Sequence, residues 1–136
     1  MSGTIRATVL AGVALAALAA CAANPKRPAP AEERAQFRQY AGPPIASFTY
    51  LGHYNGWRAL GEGQVVLWTD INDAYLITVQ LPCVDLEFES MLRLSSAQHM
   101  VTSGIDSVLV HRQACRVTEI RHVDYLKMKQ ELHTIP

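Results

Sequence analysis

The sequence predicts an α+β fold: a small antiparallel β-sheet, curled or barrel-like, with a short helix at one end of the chain and a second helix at the other. Three observations carry this. From Ile45 to His122, runs rich in β-branched and aromatic residues follow one another without helical periodicity. Gly, Asn and Asp clusters separate these runs at short intervals. Helix signals stand only before and after them, at 32–40 and 125–132. Strand runs without alternating helices give α+β rather than α/β, and 136 residues allow one domain.

Each element follows from local chemistry. Glu32 and Glu33 sit in the first turn of the 32–40 helix, where carboxylates suit the helix dipole. Phe37 and Tyr40, three apart, share a face, and Gly42-Pro43-Pro44 stops the helix. Ser47 to Leu51 is β-rich, and Asn55-Gly56 is a tight-turn dipeptide, so 50–60 is expected to form a hairpin around it. Gly61-Glu62-Gly63 marks the next turn. Residues 64–69 and 74–81 are the most strand-like runs, and Asp70-Ile71-Asn72-Asp73 between them predicts a second hairpin. Further strands are expected at 91–95, 107–111 and 116–122. Asp124 reads as the N-cap of the 125–132 helix, whose apolar side is Tyr125, Met128 and Leu132.

Twelve basic residues balance twelve acidic ones, so there is no electrostatic footprint for a nucleic-acid partner and no acidic solvating tail. The first twenty residues stand apart. Arg6 is their one charge, and an Ala-, Val- and Leu-rich run from Ala7 to Ala17 follows it. The run is too short to span a bilayer, which takes about 20 apolar residues, and reads as a secretory signal. A core helix is the alternative, but the run is not amphipathic.

Leu18-Ala19-Ala20-Cys21 resembles the lipobox of bacterial lipoproteins. That resemblance implies a cleaved leader at 1–20 and Cys21 as the lipidated first residue of the mature chain, held to the membrane by several acyl chains. Ala22 does not match the Asp that retains such proteins in the inner membrane. The expected address is therefore the outer membrane of the bacterial cell envelope, facing the periplasm. Residues 22–31, with Pro25, Pro28 and Pro30, read as an extended tether, so the domain layout is leader 1–20, lipidated Cys and tether 21–31, and one globular domain 32–136.

Export places Cys83 and Cys115 in an oxidising compartment, where two remaining thiols are expected to pair. A metal pair or a redox dithiol is the alternative, though the close CxxC spacing of such sites is missing.

Candidates for chemistry are few. None of the five histidines forms a metal-spaced pair. His111 and His122 fall on strands expected to be neighbours, so a metal site or hydrolase centre built on them is the competing reading to a binding protein. Asp106, Ser107 and His111 do not make a triad, because adjacent strand residues point to opposite faces and there is no GxSxG elbow. Asp85, Glu87 and Glu89 alternate with Leu86 and Phe88, which on a strand gives one acidic, solvated face. Tyr50, Tyr54, Trp57, Trp68 and Tyr75 cluster in the expected hairpins and are the candidate surface for a ligand or an envelope partner; core packing accounts for them equally well. With no Walker pattern or dinucleotide fingerprint, no cofactor and no catalytic residue is assigned.

Taken together, Leu18-Ala19-Ala20-Cys21, Phe48-x-Tyr50-x-Gly52, Asn55-Gly56-Trp57, Leu67-Trp68-Thr69, Asn72-x-Ala74-Tyr75-Leu76, Cys83-x-Asp85-Leu86, Cys115-Arg116-Val117 and Glu119-Ile120-Arg121 resemble an uncharacterised family of small proteobacterial lipoproteins, a domain of unknown function. The resemblance implies the envelope location and the pairing of Cys83 with Cys115. It implies no activity. The expectation is a membrane-tethered binding module that is not an enzyme.

Overall fold

The computed structural model describes residues 28–133. The expected leader, Cys21 and most of the expected tether lie outside the described residues. Helix α1 (Pro30–Tyr40) is followed by strands β1 (Ala41–Pro44), β2 (Ser47–Thr49), β3 (Gly56–Gly61), β4 (Gln64–Trp68) and β5 (Ala74–Val79). A 3-10 turn (Leu86–Phe88), β6 (Arg93–Leu94), β7 (Met100–Thr102), β8 (Ser107–Val110), β9 (Gln113–Val123) and helix α2 (Tyr125–His133) complete the chain. The main sheet has the antiparallel order β3-β4-β5-β9-β8-β6, and β1 pairs the C-terminal part of β9. A separate two-stranded piece, β2 with β7, curls over it, giving an α+β half-barrel with a helix at each end of the chain.

Strand β4 explains why the sheet is covered on both sides. Val65, Val66 and Leu67 are all fully buried, and alternation sends Val66 to one face and its neighbours to the other. On the inner face, Val65, Leu67, Ile77, Val79, Val117 and Ile120 meet Phe48, Leu86, Leu92, Val101, Val108 and Val110. On the outer face, Leu60, Val66, Ala74, Leu76 and Val123 meet Phe37 of α1 and Met128 of α2. Each fully buried Leu or Ile contributes roughly 1.5–3 kcal/mol of transfer free energy.

The helices follow their local signals closely. α1 begins at Pro30, inside the segment expected to be tether, because proline is tolerated at the first helical position, where its missing N–H leaves nothing unpaired. Asp124 caps α2 by accepting the Lys127 amide at 3.1 Å. Tyr125 and Leu132 pack beside buried Met128, as the spacing predicts.

Three local expectations are corrected. Asn55-Gly56 does not turn a hairpin: the Asn55 amide donates to Trp68 O at 2.7 Å, so the dipeptide leads into β3, and the hairpin closes instead at Gly61-Glu62-Gly63. There all three residues have positive φ, and a Cβ on Gly63 would stand 3.0 Å from Val79 O. Residues 41–44, read only as a helix stop, form an edge strand that prolines can occupy; Arg121 holds it by donating to Gly42 O at 3.1 Å. Residues 85–89 are a left-handed Asp85 followed by the 3-10 turn, so Asp85, Glu87 and Glu89 do not form one strand face.

Candidate functional site

The sheet register defines two ends of the molecule. At one end Gly61 stands opposite Gln64, and Val79 opposite Val117. At the other Gly56 stands opposite Trp68, and Ala74 opposite Val123. The start of α1 lies at the first end, where Arg34 donates to Leu60 O at 3.0 Å and pairs with Glu62 at 3.3 Å. The close of α1 lies at the second, where the Asp124 amide donates to Tyr40 O at 2.9 Å.

The second end holds a cluster of polar side chains around Asp73. Asp73 closes the β4–β5 turn, with its amide and carbonyl both bonded back to Asp70 and Thr69. Its carboxylate accepts from Thr69 Oγ1 and Tyr75 and lies 2.7 Å from His122 Nε2. Burial alone would raise the pKa of Asp73, but the hydrogen bonds from Thr69, His122 and Tyr75 outweigh it and hold the carboxyl below its ordinary value. Burial first, and then the charge of Asp73, pushes the Tyr75 phenol above its usual range. The Tyr75 ring stacks on Phe48 with centroids 4.3 Å apart, while the His122 ring meets Tyr75 edge-on at 5.2 Å. The imidazole is thus oriented by one carboxylate and one aromatic ring.

His122 borders an open cleft of about 360 Å³ between the end of α1, β1 and the start of α2. Tyr40, Ile45, Asp124 and Lys127 line it as well. Tyr40 donates to Glu131, and Lys127 lies 3.8 Å from the same carboxylate. The lining holds no serine, threonine or cysteine. It combines the Tyr40 phenol, the Lys127 ammonium, the Asp124 carboxylate and His122 with an apolar Ile45, a mixed lining able to hold a polar group.

His111 and His122 do not meet, which corrects the expectation drawn from neighbouring strands. β8 and β9 pair, but their ladder runs only from Ser107–Arg116 to Val110–Gln113. His111 stands in the turn beyond it, with Nδ1 3.0 Å from Glu89 Oε1, whereas His122 stands opposite Tyr75 near the far end of β9. Nine residues of strand separate Gln113 from His122, roughly 30 Å at 3.3 Å per residue. Among the described residues, no group of three or more His, Cys, Asp or Glu is placed to hold a metal ion. Asp106, outside any triad, accepts from the Thr102 amide at 2.7 Å and orders the loop before β8.

The aromatic set divides between the faces. Tyr50, Tyr54, Trp57 and Tyr75 pack half-buried against the inner core, and Tyr54 donates to Leu92 O at 2.9 Å. Trp68 lies on the outer face, edge-on to Phe37 and Tyr125 and under the Arg58 guanidinium. The five residues therefore do not make one continuous surface. The cleft residues Tyr40, Ile45, Asp124 and Lys127 escaped sequence reasoning because they sit on three elements joined only by the fold; Asp73 could have been flagged as a turn acid able to reach a strand partner.

Cys83 and Cys115 form a disulfide with Cα atoms 5.8 Å apart. It fastens the chain leaving β5 to the start of β9, beside the Gln80 amide bond to Arg116 O at 2.8 Å. Among the described residues no helix is long and apolar enough to cross a membrane.

Fold and cleft together define a small disulfide-linked α+β domain with an oriented histidine at an open polar cleft. A family model described as a family of unknown function, DUF6491, matches residues 4–134, and the chain belongs to that family. No curated protein and no solved structure matches the chain.

Proposed function

We propose that this protein is a lipid-anchored component of the bacterial cell envelope whose folded part is a binding module rather than an enzyme. The envelope address rests on the apolar leader, on the likeness of Leu18-Ala19-Ala20-Cys21 to a lipobox and on the Pro-rich segment after it. A disulfide suits the same oxidising compartment. The family match starts at residue 4, so it takes in the leader and Cys21. Ala22 in place of the inner-membrane retention residue favours the periplasmic face of the outer membrane.

One observation carries the binding role: the open cleft beside His122, whose imidazole is oriented by Asp73, offers Lys127 and a polar rim around the apolar Ile45. The occupant is an envelope protein segment or a small ligand that bears an acidic group.

Comparing wild type, Cys21→Ser and Lys127→Glu in cells tests both parts. Cys21→Ser is expected to lose acyl labelling and membrane fractionation. Lys127→Glu is expected to stay in the membrane fraction and lose the species captured by the wild type from envelope extract. Palmitate labelling that survives in Cys21→Ser overturns the anchor. Stoichiometric zinc retained by the purified protein after dialysis overturns the binding role in favour of metal chemistry.

A further inference from the structure

The segment from the end of β5 to β6 exposes four large apolar side chains within eleven residues: Leu81 at 56%, Val84 at 61%, Phe88 at 83% and Met91 at 63%. Scattered exposed hydrophobes need no explanation, but several on one segment mark an interaction surface. This segment is not loose chain. The disulfide pins it at Cys83. Gln113 grips it from the β8–β9 hairpin, accepting the Val84 amide at 3.1 Å and donating to Pro82 O at 3.0 Å. Leu86 is buried in the inner core, and the Phe88 amide closes the 3-10 turn on Asp85 O at 3.0 Å. A rigid scaffold thus holds apolar side chains outward.

Its position suggests what covers it. Leu81 and Phe88 line one cleft together with Gly61 and Glu62 of the β3–β4 turn. Phe88 lines a second cleft with Pro30, the first residue of α1. Leu81 and Phe88 therefore lie at the end of the molecule where α1 begins, and Val84 and Met91 belong to the same segment. Eight residues lie between Cys21 and Pro30, a reach of about 30 Å at most when extended. A folded domain of this size has a radius of gyration of about 13 Å. A lipid on Cys21 would keep this end within reach of the bilayer at high effective concentration, so a weak apolar contact is enough to dock it.

We infer that Leu81, Val84, Phe88 and Met91 rest in the headgroup region of the phospholipid bilayer, turning the His122 cleft away from the membrane. This rests on the proposed anchor at Cys21. Asp85, Glu87 and Glu89 accompany these side chains, so the contact favours zwitterionic over anionic lipid at low ionic strength.

The test uses the lipidated mature chain in vesicles of phosphatidylcholine brominated near the headgroup. Phe88→Trp adds a reporter at the docking end, and Ile71→Trp adds one in the exposed β4–β5 turn at the other end; emission is read as the difference from wild type. Quenching of the Phe88→Trp reporter is expected to exceed that of Ile71→Trp by roughly two-fold or more, and to weaken when phosphatidylglycerol is added. Equal quenching at both positions, in protein that floats with the vesicles, overturns the docking and leaves the anchor standing. Flotation of Cys21→Ser equal to wild type overturns the anchor and the inference with it. Phe88→Trp unquenched by lipid but protected on adding envelope extract assigns the surface to a protein partner instead, and overturns the bilayer.

Discussion

The two ends of the half-barrel hold their loops by different means. At the His122 end, side chains at the surface bond to one another: Thr69, Tyr75 and His122 converge on Asp73, and Tyr40 meets Glu131 beside an open cleft. At the Phe88 end, the chain is held by a disulfide and backbone bonds while its apolar side chains point out. The same sheet connects both ends and is covered on both faces, so the contrast does not come from the core. It shows two ways in which this fold braces the loops at the ends of one sheet.

The largest effect should come from the disulfide. Cys83 and Cys115 lie 32 residues apart, and the chain-entropy model gives such a bridge about 3–4 kcal/mol. Cys83→Ala with Cys115→Ala should lower stability by roughly that amount in urea titration. Hydrogen exchange should accelerate at 81–91 and leave the β4–β5 turn protected. Equal loosening at both ends would mean that the disulfide serves the whole sheet, and the contrast would fail.

A smaller, pH-dependent effect belongs to Asp73. Its carboxyl sits below the ordinary value of 3.8 in the folded state, so it adds stability above that pH and loses it as the pH falls further and the folded-state carboxyl takes up its proton. Asp73→Asn should cost about 1 kcal/mol near neutrality, the usual worth of a hydrogen bond to a charged group at a partly exposed site. Thermal melts of variant and wild type should converge as the pH drops below 3.8. A constant gap down to pH 2 would show that Asp73 acts through shape and not through charge.

The legible parts of the molecule are those with local causes. The β4–β5 hairpin, the Gly61–Gly63 turn, the Asp124 cap and the α2 apolar side are written in residues a few positions apart. The disulfide is legible only through the expected export of the chain, not through cysteine spacing. What the sequence hides is long-range. β2 pairs β7 across some fifty residues, and β1 joins β9 across about eighty; neither short strand carries a mark of its partner. Asn55-Gly56 carries a strong turn signal, yet the tertiary bond to Trp68 overrides it. The cleft is hidden for the same reason, since Tyr40, His122 and Lys127 come together only after β1 and α2 have docked on β9.

The smallest expected effect is also the sharpest. Leu86 and Phe88 are two residues apart in one 3-10 turn, and both are apolar. Leu86 is buried among Val108, Val110 and Cys115, so Leu86→Ala should cost about 2–3 kcal/mol as a core truncation. Phe88 has no core role: its side chain borders two open clefts. Phe88→Ser should therefore change stability by less than about 0.5 kcal/mol, the range of an ordinary surface substitution. Denaturant midpoints of the two variants, measured side by side, decide the matter. A loss above about 1 kcal/mol in Phe88→Ser would mean that the aromatic ring props the 3-10 turn, and its exposure would then be a by-product of folding. A negligible loss leaves Phe88 an exposed aromatic side chain that folding does not require, held on a braced loop beside the point where the chain enters the domain.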